Sequence, residues 1–252
     1  MGHDLLALRL MNQTDLVILA VYLISIYYVL LQAWESIPIV RSTVIKHEGN
    51  LYDYEALKDF VDVKFKVDGS YAFDKQPTQL PTTVSNKSST ATITVDWERG
   101  SLRNFQGGDR RLVRVIDGMQ KGDQSQVQAS SSISPKRSLS VVLTAEDLLE
   151  ANAETGRLSA TRPVVDIQKL AQDQAAKPKD KADAERIQKL KNLYGDFLAG
   201  KEPLRFSLRL PLQITNIVEG SKKDIWGFVD CNFSVAFSRK TRLDQMPWNP
   251  KK

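Results

Sequence analysis

The stretch that most constrains this chain is residues 16–34, which read LVILAVYLISIYYVLLQAW and contain no charged residue. A helix of this length extends roughly 28 Å, close to the hydrocarbon thickness of a bilayer. The remaining chain is too polar to surround a helix that is apolar on every side. The sequence therefore predicts a single membrane-spanning helix. The predicted anchor residues are Leu16, Tyr22, Tyr28 and Trp34.

A cleaved signal peptide is the main alternative for this segment. Such a peptide has a basic start, a shorter apolar run and a small-x-small cleavage site. Here the start, MGHDLLALRLMNQTD, is neutral to acidic, and the run ends in QAWESIP. Retention of the helix as an anchor is therefore the prediction.

The charges on either side of the helix bear on its orientation. Arg9 precedes it, whereas Arg41 and Lys46 follow it, so the positive-inside rule favours a soluble domain on the cytoplasmic face of the membrane. Large domains are translocated largely regardless of such counts. The opposite topology therefore stays open.

Alternating apolar and polar residues predict strands in the remaining chain. The clearest alternation lies at 61–67, 91–97, 206–214 and 229–237. Shorter apolar runs lie at 112–116, 127–131 and 139–143. Gly, Pro and Asn turn signals separate most of these runs, which is typical of antiparallel pairing in a sandwich or barrel. We predict a mainly β fold, an antiparallel β-sandwich, with Trp97 in its core.

A change of composition at about 145–203 predicts a partly helical insertion in this sandwich. The run 171–188 is rich in Ala, Lys, Asp and Gln with almost nothing to bury, which indicates a flexible segment. A helix with one apolar face follows and is closed by Gly200 and Pro203. The predicted organisation is a tail at 1–15, the membrane helix at 16–34, a juxtamembrane connector at 35–60 and one β-sandwich domain at 61–252.

Two stretches carry a resemblance to a known class of domains. Residues 84–88 read VSNKS and residues 93–97 read ITVDW, and together they resemble a hairpin of Ig-like β-sandwich domains in membrane-anchored bacterial envelope proteins. With RRLVR at 110–114 and LTAEDL at 143–148, the chain is similar to single-pass membrane proteins of the cyanobacterial type. The resemblance covers about a quarter of the chain. It implies an Ig-like fold and a photosynthetic organism's plasma or thylakoid membrane, and it brings no catalytic residue.

Positive charge is the main functional signal outside the helix. The net charge is +5, and the first 34 residues carry Arg9 against Asp4 and Asp15, a net −1, so the rest carries +6. The basic residues are most concentrated at Arg99, Arg103, Arg110, Arg111 and Arg114. We predict that this set docks an acidic protein or lipid headgroups, with ordinary solvated surface as the simpler interpretation. Nucleic acid is disfavoured because no aromatic residues interleave with the arginines.

The residues needed for catalysis or metal binding are scarce. The chain has two histidines, His3 and His47, and one cysteine, Cys231. Neither histidine has a partner at metal-ligand spacing, and no phosphate-loop motif is present. One cysteine also rules out an intramolecular disulfide. We therefore predict no catalytic residue, no metal and no cofactor.

These features predict a non-catalytic accessory or structural subunit of a membrane complex. Its partners would be the bilayer and other protein subunits, with the basic soluble domain docking an acidic one. The alternative is an envelope module that binds a solute or senses it on the sandwich. A stable stoichiometric complex in mild detergent would favour the accessory subunit, whereas an isolated monomer would favour the alternative.

Overall fold

The structure is a computed structural model, and it describes residues 13–35, 39–67, 69–123, 126–218 and 221–241. The chain divides into two units, one of Met1–Val40 with Arg239–Lys252 and one of Arg41–Ser238. In the first unit, helix α1 covers Gln13–Glu35. Among the residues that the structure describes, no helix combines the length and hydropathy needed to cross a membrane. The membrane-spanning role of residues 16–34 therefore stays a prediction.

The rest of the described chain is mostly β-structure. The strands are β1 Ile39–Tyr52, β2 Val61–Phe65, β3 Gly69–Ala72, β4 Leu80–Asn86, β5 Ala91–Val95, β6 Ser101–Arg103, β7 Asp109–Arg114, β8 Ser131–Ile133, β9 Ser138–Ala145, β10 Leu149–Ala151, β11 Leu158–Ala160, β12 Leu204–Val218 and β13 Ser221–Thr241. The further helices are α2 Leu57–Phe60, α3 Ile167–Asp173 and α4 Lys181–Leu198. Short 3₁₀ turns lie at Lys121–Asp123 and Glu146–Leu148.

Eleven of these strands form one antiparallel sheet, in the order β2-β4-β9-β7-β6-β12-β13-β1-β3, with β5 pairing to β12 and β8 pairing to β5. Strands β2 and β13 lie far apart in this order, yet the rings of Phe65 and Phe233 are 4.8 Å apart. The sheet therefore curls so that its inner faces meet. The prediction of a mainly β, antiparallel fold is confirmed, and the assignment as an Ig-like sandwich stays a prediction.

The core lies between these inner faces. Every second side chain of a strand points into it. On β13 the inward side chains of Val229, Cys231 and Phe233 are fully buried. Trp97, just after β5, is also fully buried, and its indole N–H donates to Ser131 Oγ at 2.9 Å. The prediction that Trp97 is a core residue is confirmed.

The segment predicted as a juxtamembrane connector, 35–60, holds a long strand of the sheet instead. Strand β1 pairs with β3 over 42–45, and its side chains also reach β2. Asn50 Nδ2 donates to the Val63 carbonyl at 2.9 Å and Tyr52 Oη donates to the Val61 carbonyl at 3.4 Å. Charged residues and Gly49, at φ +124°, interrupt the alternation that would have revealed this strand.

The region predicted as an insertion contains the β10–β11 hairpin, α3 and α4. Aspartates cap both helices, since Asp166 Oδ1 accepts from the Lys169 amide at 2.8 Å and Asp180 Oδ1 from the Asp183 amide at 2.7 Å. The predicted apolar face of α4 is buried at Ile187, Leu190 and Phe197. Residues 171–186 contribute no buried side chain, as their composition indicates.

Candidate functional site

Two of the five arginines predicted to form a docking patch make exposed ion pairs. Arg99 lies 3.5 Å from the Asp96 carboxylate, with 74% of its side chain exposed. Arg103 donates to both carboxylate oxygens of Asp109, at 2.9 and 3.0 Å. This bidentate bond holds the pKa of Asp109 below its ordinary value. The charge of each arginine is therefore opposed locally by an aspartate.

Arg111 lies between two glutamates. It donates to Glu98 at 2.7 and 3.0 Å and to Glu146 at 3.4 Å. The hydrogen bond from Arg111 is the main reason that the pKa of Glu98 is lowered, and a bond from the Gln128 amide, 3.0 Å from Glu98, adds to it. Two carboxylates thus neutralise the charge of this guanidinium. Its electrostatic attraction for an acidic partner is therefore weak.

Arg110 and Arg114 bind backbone and core groups of the same domain. Arg110 Nη2 donates to the Val164 carbonyl at 2.8 Å. Arg114 donates to Ser131 Oγ at 3.0 Å and to the Ala129 carbonyl at 2.9 Å, and its guanidinium carbon lies 5.4 Å from the centre of the Trp97 ring. Burial lowers the pKa of Arg114 from its ordinary value. These two arginines of β7 therefore bind the segments that contain Val164 and Ala129.

A different surface carries basic groups that face solvent, on the outer side of β2, β4 and β9. It is a groove of about 820 Å³ whose lining includes Lys64, Lys66, Arg114 and Asp117, and we call it the β2 groove. Three cations against one carboxylate give this lining a net charge of +2. Lys64 is 76% exposed, and its only ion pair among the described residues is with Asp62, at 3.4 Å.

Hydroxyl and aliphatic groups complete the β2 groove. Register places Lys64 opposite Thr83 and Thr83 opposite Ser140, and the two hydroxyl oxygens are 3.1 Å apart. Ile116, which is 57% exposed, lines the same groove. The groove thus offers ammonium groups, hydroxyls and an apolar edge to one ligand.

Charge clustering in the sequence does not point to Lys64 and Lys66, because neither belongs to a run of basic residues. A usable signal was present, since both alternate with Val63, Phe65 and Val67 in a predicted strand. Apolar residues on one face of a strand place the intervening residues on the other. The alternation therefore predicts that both lysines point to solvent.

In the part of the chain that the structure describes, the Cys and His side chains pack within the fold. No three or more His, Cys, Asp and Glu side chains lie together as metal ligands among the described residues. Cys231 is fully buried, and burial raises its pKa, so its thiolate is disfavoured. His47 lies 2.9 Å from Asn50 Oδ1 and packs against the rings of Phe65 and Phe233.

The predicted anchor residues lie on α1. Leu16, Tyr22 and Tyr28 are 55%, 63% and 66% exposed within this helix, and the side chain of Trp34 lies outside the described part. Exposed apolar side chains also occur between them along the helix, at Ile18, Leu23 and neighbouring positions. Such a surface is unfavourable in water unless something apolar covers it.

Comparisons with known proteins give no match to a protein-family model, to a curated protein or to a solved structure. The resemblance to Ig-like, membrane-anchored proteins of the cyanobacterial type therefore stays a prediction. Among the described surfaces, the β2 groove has more cations than carboxylates in its lining.

Proposed function

We propose that this protein is a non-catalytic accessory subunit of a membrane complex and that the β2 groove holds an acidic segment of a partner protein. The observation that carries the proposal is the excess of cations at the groove, which Lys64, Lys66 and Arg114 line against Asp117, with Asp62 beside Lys64. Opposite charge steers association and fixes the register of a docked segment. The functional class is the one that the sequence predicts, but the basic surface is a different one.

The arginines of β6 and β7 fit this docking role less well than the lysines. A carboxylate approaching Arg103 or Arg111 has to compete with Asp109 or Glu98, each of which accepts two hydrogen bonds from its arginine. A bidentate Arg–carboxylate pair is among the stronger polar contacts in proteins. Lys64 and Lys66 are exposed and flexible, and a partner carboxylate reaches them without breaking such a pair.

The shape of the β2 groove favours an extended polypeptide segment. It is open along the outer face of three strands, with hydroxyls of Thr83 and Ser140 beneath and Ile116 at one edge. An acidic segment with an apolar residue would match all of these groups. The alternative, a solute-binding or sensing module, is favoured by the volume, since about 820 Å³ lies within the range of small-molecule sites.

Helix α1 supports attachment to a membrane. Its described apolar side chains are 39–66% exposed, so a lipid or partner-helix environment would remove a large apolar surface from water. Attachment also raises the effective concentration of a weak docking surface near its partner. We propose a single-pass anchor, with the soluble domain on the cytoplasmic face.

The docking proposal is tested with the full chain purified from native membranes in mild detergent. Lys64→Glu combined with Lys66→Glu should release the partner, whereas Lys189→Glu combined with Lys191→Glu, the same charge change on the exposed side of α4, should not. Molar salt, which shortens the Debye length to about 3 Å, should release the partner from the unmodified chain. Association that survives both the groove reversal and molar salt would rule out electrostatic docking in the groove.

Charge reversal at Arg103, Arg110 and Arg114 is a poor test of docking. Glutamate at Arg110 would face the Val164 carbonyl, and glutamate at Arg114 would lose the contacts with Ser131 and Trp97. Such a variant would lose stability, so a lost partner would not identify the docking surface. The lysine pair avoids this ambiguity because its side chains are exposed.

A further inference from the structure

A second outer face, on β12 and β13, has a different composition from the β2 groove. Cross-strand register places Gln213 opposite Trp226, Pro211 opposite Phe228 and Arg209 opposite Asp230. These side chains share the outer face because the intervening residues, such as Leu210 and Val229, are fully buried. We call this row of outward residues the aromatic strip.

The aromatic strip carries two aromatic side chains on the same face of β13. Trp226 is 53% exposed, and it lies two residues from Phe228 on the same strand, so their Cα atoms are about 7 Å apart along the strand. The Arg209 guanidinium lies 4.2 Å from the centre of the Phe228 ring. Trp and Arg are the residue types that most often dominate binding sites. An exposed tryptophan beside an arginine-covered ring therefore indicates a binding surface.

The polar groups at one end of the aromatic strip are ionic but compensated. Arg209 donates to both oxygens of Asp230 at 2.7 Å, and Arg103 does the same to Asp109 at 2.9 and 3.0 Å. Both pairs line a small concavity together with Ser207. The charges cancel within each pair, so this end of the strip has no net attraction for an anion or a cation.

Paired in this way, the ions still have hydrogen-bonding capacity. A guanidinium has five N–H donors and a carboxylate about four acceptor sites, and each bidentate bond uses two of each. The concavity lined by Arg209, Asp230 and Asn232 therefore offers both donors and acceptors. A hydroxyl group both donates and accepts, so a neutral polyol can bind both ions of a pair without separating them.

The geometry points to a binding site for a neutral oligosaccharide on the aromatic strip. One pyranose ring would stack its C–H face on the Trp226 indole, and the hydroxyls of a ring farther along the oligosaccharide would bond to Arg209 and Asp230, because Asp230 lies four residues from Trp226, about 13 Å along the strand. The cancelled charges at one end and the apolar ring at the other match a ligand that is uncharged, hydroxylated and apolar on one face. This site is separate from the β2 groove and does not depend on the proposed docking function.

The test uses the ¹⁵N-labelled full chain in a detergent without a sugar headgroup, with cellohexaose and maltohexaose as probes. At about 10 mM sugar, roughly ten times a dissociation constant of about 1 mM, at least one probe should shift the indole N–H signal of Trp226. Trp226→Ala should weaken binding by about tenfold or more, as should Arg209→Lys, which loses the bidentate fork. Trp226→Ala, being an exposed change, should leave the melting temperature unchanged.

Lys64→Glu combined with Lys66→Glu serves as the matched control and should leave sugar binding unchanged. Loss of sugar binding with retention of the protein partner, and the converse, would separate this inference from the docking proposal. No shift of the Trp226 signal with either hexasaccharide would overturn the inference. Binding that Trp226→Ala leaves intact, or binding seen only with a sulfated oligosaccharide, would overturn it as well.

Discussion

The two outer faces of the sheet differ in what lies across from each cation. On the aromatic strip, Arg209 faces Asp230 and binds it at 2.7 Å. On the β2 groove, Lys64 faces Thr83, a hydroxyl residue, and its ion pair is a longer one of 3.4 Å, with Asp62 of its own strand. Both faces arise from the same period-two alternation. Cross-strand register pairs residues that are distant in the sequence. It therefore decides whether the charged residues of a strand give the surface a net charge or are neutralised by a partner.

The largest expected effect concerns the core on which both faces rest. Trp97→Ala should lower the free energy of unfolding by about 3–5 kcal/mol, because Trp97 is fully buried and carries the Arg114 guanidinium on its ring. Chemical denaturation of the full chain in detergent would measure the loss. Trp226→Ala is the matched control, since the same truncation at a 53% exposed position should change stability by less than about 0.5 kcal/mol.

Equal losses for the two tryptophan variants would break the comparison, because they would show the aromatic strip to be as structural as the core. A stable Trp97→Ala variant would instead place Trp97 outside the stabilising core. It would also show that the contact between the Arg114 guanidinium and the Trp97 ring contributes little to stability.

A smaller effect is expected from the compensated ions around Arg111. Its hydrogen bond lowers the pKa of Glu98 below the ordinary value of 4.5, so the ionised carboxylate stabilises the fold above that pH. The contribution is lost as the pH falls through the lowered pKa. Glu98→Gln should therefore reduce the melting temperature at pH 7 by about 2–4 °C, and the difference from the unmodified chain should shrink below pH 4.5.

Glu55→Gln, which removes the same charge from an exposed position, provides the control for Glu98→Gln. It should change the melting temperature little at either pH. A Glu98→Gln effect that stays constant from pH 7 downward would show that the side chain acts through packing. The contribution of Glu98 to stability would then not come from its ion pair with Arg111.

Much of the sheet could be predicted from the sequence, because its longest strands alternate without interruption. Residues 206–214 and 229–237 lie in β12 and β13 as predicted, and 61–67 holds β2. Strand β4 was missed because Pro81 and Asn86 read as turn residues. Pro211 lies inside β12, which has neighbours on both sides, although proline cannot donate to the hydrogen-bond ladder. It is accommodated where the partner of β12 changes from β6 to β5.

The candidate sites were harder to predict, because each depends on pairings between distant residues. The sequence places Arg111 in a basic cluster, but its neighbours in space include Glu98 and Glu146. Arg209 and Asp230 are likewise 21 residues apart in the sequence and 2.7 Å apart in the fold. Charge counted along a sequence therefore locates ion pairs poorly. The side on which a strand residue points is predictable, whereas its partner across the sheet is not.

The smallest expected effect sharpens the comparison by separating folding from binding. Lys64→Glu combined with Lys66→Glu should change the free energy of unfolding by less than about 0.5 kcal/mol, since the one described ion pair of Lys64 is exposed and such pairs contribute little. Arg110→Glu should destabilise the domain more, because Arg110 is 18% exposed and bonds to Val164. Denaturation of both variants, followed side by side, measures the difference. If the lysine variant unfolds as readily as the arginine variant, the lysines are structural too, and loss of a partner from that variant would no longer identify the β2 groove as a docking surface.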